Sequence, residues 1–346
     1  MDEKYPDLKL YSREDILELS TYREGELKLA ERIQLPIDQS LEKSLSQSNA
    51  SFALVGIEED IGIRGNLGHP GARHAFEHTL KALLAVQSNR FLGGDEILLL
   101  GSLQFDSLLQ EADGLSTNQA EDVKRFRELT ARVDDAVYPV IEAIVQAGKI
   151  PIVIGGGHNN SYGNLKGCSK ATGQAIACLN IDPHADFRAL EGRHSGNGFS
   201  YARDEDYLSR YAIFGLHQGY NSEAMLEELT SDRKITFQTF ESLLPLSSAE
   251  LQQRFKNLLQ WCGQGPFGLE LDLDALTAFP VSALNPSGFS LNQARLLTSA
   301  AAALKAPHYF HICEGSPGRA QNENEKTLIG KSIAYLICDF VKNFRP

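Results

Sequence analysis

Three metal-capable side chains stand at i, i+2 and i+4 in the run Asn180-Ile181-Asp182-Pro183-His184-Ala185-Asp186. On an extended backbone side chains alternate faces, so Asp182, His184 and Asp186 can all point the same way. Unpaired buried carboxylates are costly, and a cation removes that cost. Two more clusters carry the same donors: Gly155-Gly156-Gly157-His158 and Asp272-Leu273-Asp274. Taken singly, each has a plain alternative: a surface loop, a tight glycine turn, a Mg²⁺–phosphate site. Their joint occurrence points to one constellation of His158, Asp182, His184, Asp186, Asp272 and Asp274. Four carboxylates and two imidazoles suit two divalent ions bridged by carboxylate and water. Oxygen-rich ligation with some imidazole favours Mn²⁺, with Fe, Co, Ni or Zn as alternatives. Water shared by two cations loses its proton near neutral pH, so hydrolysis is the expected chemistry.

The elements that must position these groups are legible as apolar runs. They occur at Phe52–Ile57, Ile97–Leu100, Ile150–Ile154, Ala175–Ile181, Tyr211–Phe214, Ile235–Phe237, Phe267–Leu273 and Tyr309–Ile312. Near-continuous apolar runs of this length read as buried parallel strands. Helical periodicity lies between them, over His74–Val86, Val123–Gln146 and Lys326–Val341, with Pro139 expected to kink or divide the second. Alternating strand and helix implies a parallel sheet covered on both faces. In such sheets ligands sit beyond the carboxyl ends of the strands. His158, the Asp182 run, the Asp272 pair and Glu314 all fall there. Residues 1–50 are expected to form an N-terminal extension, with a helix through Arg23–Ile33 and a polar linker over Ser40–Ala50, packed on a catalytic domain of residues 51–346.

Composition narrows the class. The 346 residues are 42% hydrophobic, enough for a sizeable core, and the net charge of −12 argues against a nucleic-acid or anionic-membrane surface. No apolar run is long enough for a spanning helix. Met1 to Pro6 lacks the form of a secretory signal. Five scattered cysteines without a C-x-x-C read as reduced thiols in a cytoplasmic protein. His74-Ala75-Phe76-Glu77-His78 has a Zn²⁺-capable spacing but reads better as a surface helix. The Gly-rich Gly65–Arg73 loop precedes it.

The three elements together resemble the signatures of the ureohydrolases, the arginase, agmatinase and formimidoylglutamase family. That resemblance extends over residues 51–346. It implies a three-layer α/β/α sandwich with an eight-stranded parallel sheet and two Mn²⁺ per subunit. It implies that His158, Asp182, Asp186 and Asp272 hold one ion and Asp182, His184, Asp272 and Asp274 the other. It further implies a homo-oligomer, and that Glu314 in His311-Ile312-Cys313-Glu314-Gly315 grips the substrate's amidine or guanidine, a planar cation that pairs well with a fixed carboxylate.

Departures from arginase point to formimidoylglutamase. Gly157 stands where arginase and agmatinase have Asp, and Arg188 stands where arginase has Asn. A guanidinium there would recognise a carboxylate. Arg193-His194-Ser195-Gly196-Asn197-Gly198-Phe199 resembles the family's substrate loop. Ser195 takes the column of the proton-shuttle His, and His194 precedes it. His194 is a candidate proton carrier, against a structural or substrate-orienting role, with Arg188, Arg193, Ser195 and Asn197 as substrate contacts. Glu270, on the face of Asp272, stands where Ser is common; its role is open between ligand support and metal preference. The expected reaction is hydrolysis of N-formimidoyl-L-glutamate to L-glutamate and formamide, in histidine degradation. The alternatives are an arginase-, agmatinase- or guanidinobutyrase-type release of urea, and a non-catalytic metal-binding subunit.

Overall fold

A computed structural model describes residues 4–263, 265–304 and 307–344. The first three residues of the expected extension and the last two of the expected catalytic segment lie outside them. Nine strands form one sheet: β1 (Leu8–Leu10), β2 (Phe52–Glu58), β3 (Ile97–Gln104), β4 (Ile150–Ile154), β5 (Ile176–Ile181), β6 (Leu208–Leu216), β7 (Ile235–Thr239), β8 (Phe267–Asp272) and β9 (Tyr309–Cys313). Their order is β1-β3-β2-β4-β9-β8-β5-β6-β7. β2 to β9 pair in parallel, as eight apolar runs imply; β1 adds antiparallel to β3. The sheet therefore has one strand more than the eight expected. The extra strand is three residues long, too short to carry a periodic signal, and Leu8 and Leu10 bury one face of it.

Alternate strand residues feed two cores. In β2, Phe52 and Leu54 face a layer built from the helices Ala75–Leu84, Ser248–Trp261, Leu291–Leu304 and Glu323–Asn343. Ala53, Val55 and Ile57 face the opposite layer, led by Ala120–Gln146 and Asn160–Thr172. This three-layer arrangement is the arginase-like α/β fold expected from the sequence. No helix among the described residues is long and apolar enough to cross a membrane.

Two local expectations fail for identifiable reasons, and of a third the division is not seen. The helix through Arg23–Ile33 reduces to a single 3₁₀ turn, Leu29–Glu31. Gly25 has a φ of 81°, and the Leu29 N–H and Leu27 C=O bond Val86 and Ser88, which draws the segment out. The Ser40–Ala50 linker contains a helix, Leu41–Gln47. Ser40 caps it, and Leu41 and Leu45, at i and i+4, are buried. The long helix Ala120–Gln146 runs through Pro139 without a break. Proline removes a bond to the carbonyl four residues back, and that carbonyl belongs to exposed Asp135, where water can serve it.

The chain leaves β4 and returns in β5 with β9 and β8 between them. That change of winding direction opens a crevice at the carboxyl ends of the four central strands.

Candidate metal centre

Each of those four strands delivers donors at its carboxyl end. The turn after β4 presents His158. Asp182 follows β5 directly, Asp272 closes β8, and Glu314 follows β9. The turn is built on glycine for a reason: Gly155 and Gly156 have φ of 90° and 72°, where other residues are strained. Asp186 and Glu314 adopt the left-handed region without being glycine, at φ of 45° and 64°. Strain of this kind costs on the order of 1–3 kcal/mol per residue and gathers at functional sites.

Buried His158 turns Nδ1 toward three carboxylates: Asp186 Oδ2 at 2.8 Å, Asp182 Oδ2 at 3.1 Å and Asp272 Oδ2 at 3.1 Å. None of these contacts has hydrogen-bond geometry, and Nδ1 is left unsatisfied. One donor atom from each of the four residues lies within 4.8 Å of every other. A second cluster adjoins the first: His184 Nδ1 is 3.5 Å from Asp182 Oδ1 and 3.7 Å from Asp274 Oδ2. Asp182 thus addresses both clusters, one oxygen to each. Its geometry is locked locally, since Oδ1 accepts the His184 N–H at 2.7 Å and Oδ2 accepts from Asn180 Nδ2 at 2.9 Å. Asp272 Oδ1 likewise accepts the Asp274 N–H at 2.7 Å.

Charge makes the case for cations. Burial and the charge of Asp182 push Asp272 up to about 6. Burial, then Asp272 and Glu314, push Asp274 well above the carboxylate range. Burial and Asp182 also raise Asp186. Asp182 alone is lowered: burial opposes, but His158 and His184 prevail. Acids crowded this closely resist ionising together unless a cation neutralises them. Unsatisfied Nδ1 and Asp274 Oδ1, converging oxygens and imidazole fit a pair of divalent transition-metal ions.

His158 and Asp182 are buried, and His184, Asp186, Asp272 and Asp274 line a cavity of about 590 Å³. Its wall includes Asn66 and Gly68 of the Gly-rich loop, Arg188, Glu191, Ser195, Tyr220, Glu228 and Glu314. Glu314 is pinned from both sides: Oε1 accepts the His158 N–H at 2.9 Å, and its own N–H donates to Gly156 O at 3.1 Å.

The substrate-loop residues divide. Arg188 stands at the rim with a largely exposed side chain, 3.3 Å from Glu191. Ser195 lines the cavity, and its Oγ accepts from Asn66 at 3.3 Å. Arg193, His194 and Asn197 do not reach that wall. Arg193 is buried, donating to Asp134 at 2.8 Å, Asn197 Oδ1 at 2.6 Å and Asn159 O at 2.9 Å. Its guanidinium lies over the rings of both Tyr162 and Tyr201. Asn197 spends its amide on Gly192 O and Ala189 O. Both therefore tie the loop together rather than facing substrate. His194, the candidate proton carrier, is fully buried. Its Nδ1 accepts from Gly196 N at 3.1 Å and its Nε2 lies 3.2 Å from Glu191 Oε1. Burial and the charge of Arg127 lower it to about 4, so its ring is neutral and committed to the loop. In the opening motif of the Zn²⁺-capable helix, His74 is exposed, and no donor group among the described residues includes it or His78.

One residue escaped sequence reasoning altogether. Buried Glu59 accepts five N–H bonds: from Ile61 and Gly62 at Oε2, and from Gly157, Asn159 Nδ2 and Asn160 Nδ2 at Oε1. It anchors the turn that presents His158. Only its position at the end of β2 could have drawn notice. The turn is also tightly packed: a Cβ on Gly157 would lie 2.6 Å from Asn159 Oδ1 and 2.8 Å from Ile63 Cγ1.

The family model for the Arginase family matches residues 50–338. A formimidoylglutamase of Streptococcus gordonii is 27% identical over 295 residues, spanning 83% of this chain and 83% of its own length. Among solved structures, formimidoylglutamase from Bacillus subtilis aligns with a TM-score of 0.73 at 17% identity, over 99% of this chain and 97% of that one. Trypanosoma cruzi formiminoglutamase with Mn²⁺ aligns with a TM-score of 0.71 at 18% identity, over 93% and 100%. At such identities the likeness of structure speaks for the fold.

Proposed function

The chain belongs to the arginase family, and on that premise we propose that it is a dinuclear metal-dependent hydrolase of linear amidines. The substrate we assign is N-formimidoyl-L-glutamate, cleaved to L-glutamate and formamide in histidine degradation. Formimidoylglutamase relatives matched over most of the chain support the substrate. The single observation that carries the chemistry is the convergence of six donor residues, four of them lining a cavity that Glu314 and Arg188 also line.

His158, Asp182, Asp186 and Asp272 would hold one ion; His184 and Asp274, sharing Asp182 and Asp272, would hold the other. Two Mn²⁺ ions are the favoured occupants, and bound there they supply the Lewis acidity that activates water at neutral pH. The remaining work belongs to the chain. Glu314, fixed by its bond from His158 N–H, takes the planar amidinium and orients the formimidoyl carbon above the donors. Arg188 at the rim, with Ser195 beside it, takes a carboxylate at the far end. Water adds to the formimidoyl carbon, the bond from that carbon to the glutamate nitrogen breaks, and the nitrogen leaves carrying a proton. The buried cysteines suit the reducing cytoplasm.

A second reading has one observation in its favour. Arg188 is the one Arg or Lys on the cavity lining among the described residues, while Glu191 and Glu228 share that wall. Such a balance also suits a substrate with a cationic tail, as in guanidine hydrolysis with release of urea. Mn²⁺-loaded protein offered N-formimidoylglutamate, arginine, agmatine and guanidinobutyrate, with formamide and urea measured separately, decides the matter. Formamide from the first is expected. Urea from a guanidine, with no formamide, would replace the assignment.

A further inference from the structure

His158 has two ring nitrogens, and only Nδ1 faces the carboxylates that gather at the metal centre. Nε2 points the other way, is fully buried, and has no hydrogen-bond partner. Glu270 Oε2 lies 3.6 Å from it. A movement of about half an ångström would bring that contact into hydrogen-bond range.

Glu270 is well placed to receive it. It sits on β8 two residues before Asp272, in register with Asn180 on β5 and His311 on β9. This row lies one layer below the donors. Asn180 already supports the layer above, donating to Asp182. Glu270 itself is held at both oxygens: Oε1 accepts from Tyr309 OH at 2.8 Å, and Oε2 lies 2.6 Å from His311 Nδ1. His311 reaches on through Nε2 to Gly155 O at 3.3 Å, at the start of the turn that carries His158. Phe199 packs edge-on to the His158 ring at 5.2 Å and restricts its rotation. Glu270, His311 and Cys313 could be taken for a further ion site, but the first two are already satisfied by a 2.6 Å hydrogen bond to each other.

Resting on the dinuclear reading above, we propose that Glu270 is a positioning residue for the first ion: its carboxylate accepts the Nε2–H of His158, fixing the ring's tautomer and aiming Nδ1 at Asp182, Asp186 and Asp272. A histidine ligand whose other nitrogen bonds a carboxylate is both oriented and made more basic, and loss of such support lowers metal affinity by about 10–100-fold. His184 has different support. Its ring stacks on Tyr220 at 5.4 Å, so the second ion's own histidine does not lean on Glu270.

Metal-free wild-type protein, Glu270→Gln and Glu270→Asp are titrated with Mn²⁺, free Mn²⁺ is followed by electron paramagnetic resonance, and folding is checked by circular dichroism. Glu270→Asp keeps the negative charge but draws the carboxylate back by one methylene from His158, His311 and Tyr309 alike. The expected result is that each folded variant loses about 10–100-fold in affinity at one of two sites and keeps the other. The spin-coupled pair signal should then return only at high Mn²⁺. Two wild-type affinities in either folded variant would overturn the proposal. Failure of both variants to fold would also overturn it, by making the carboxylate a requirement of the core rather than of the ion. Wild-type protein that binds no Mn²⁺ would instead sink the dinuclear reading beneath it.

Discussion

Replacing His194 by Asn separates a buried structural imidazole from a proton carrier. Asn leaves an acceptor near the place of Nδ1 for the Gly196 N–H and removes a group that titrates. Burial, then Arg127, lowers the folded pKa of His194 from 6.5 to about 4. As pH falls below 6.5 the unfolded chain takes up a proton that the folded one refuses, so stability is lost as the solution is acidified toward 4. Linkage with these two values gives a loss of about 2 kcal/mol between pH 7.5 and pH 5, and nearly none above pH 7.5. The variant lacks this slope. Urea unfolding of both proteins at saturating Mn²⁺, at pH 7.5 and pH 5, should show the stability difference shift by about 2 kcal/mol in favour of the variant on acidification. The value of kcat at pH 7.5 should change by less than about tenfold, since general acid–base roles contribute on the order of 10²–10⁴-fold. Parallel stability profiles, or a kcat loss beyond about a hundredfold with altered pH dependence, would refute the assignment of His194 to the loop.

Three further expectations follow from the site. Asp182→Ala removes one oxygen from each cluster, so the purified protein should carry less than one Mn²⁺ by elemental analysis and show no turnover; retained dinuclear metal would contradict its bridging place. Glu314→Gln should leave Mn²⁺ binding intact while lowering kcat/KM by roughly a hundredfold, the scale of a lost charge-assisted bond to a cation, as measured by formamide release. Arg188→Ala should raise KM for N-formimidoylglutamate about tenfold or more with kcat little changed, the pattern of lost uniform binding; a substrate lacking the far carboxylate should show no such shift.

The metal centre was readable because its donors cluster in short runs at strand ends. Asp182, His184 and Asp186 share one heptapeptide, and a parallel strand in front of them fixes which way they leave the sheet. The supporting residues were not readable in the same way. Glu59 lies about 100 positions from the side-chain amides it serves, and nothing in Ile57-Glu58-Glu59-Asp60 separates it from its half-buried or differently paired neighbours. The substrate loop misled for a related reason. Arg193, His194 and Asn197 have types suited to chemistry, but Asp134, buried on a distant helix, captures Arg193 and turns the loop inward. Likewise the edge strand Leu8–Leu10 owes its existence to the open side of β3 rather than to any pattern of its own.

The crowding around Gly157 ties this position to its neighbours 63 and 159. The Asp of arginase and agmatinase would fit there only with a shift of the Ile63 and Asn159 side chains, which already occupy the space its first carbon would need. A carboxylate at 157 is therefore expected to come with a smaller residue at 63 or a re-aimed side chain at 159. Swapping active-site motifs between the branches of this family is therefore a matter of transplanting whole neighbourhoods, with the order of the steps dictated by volume.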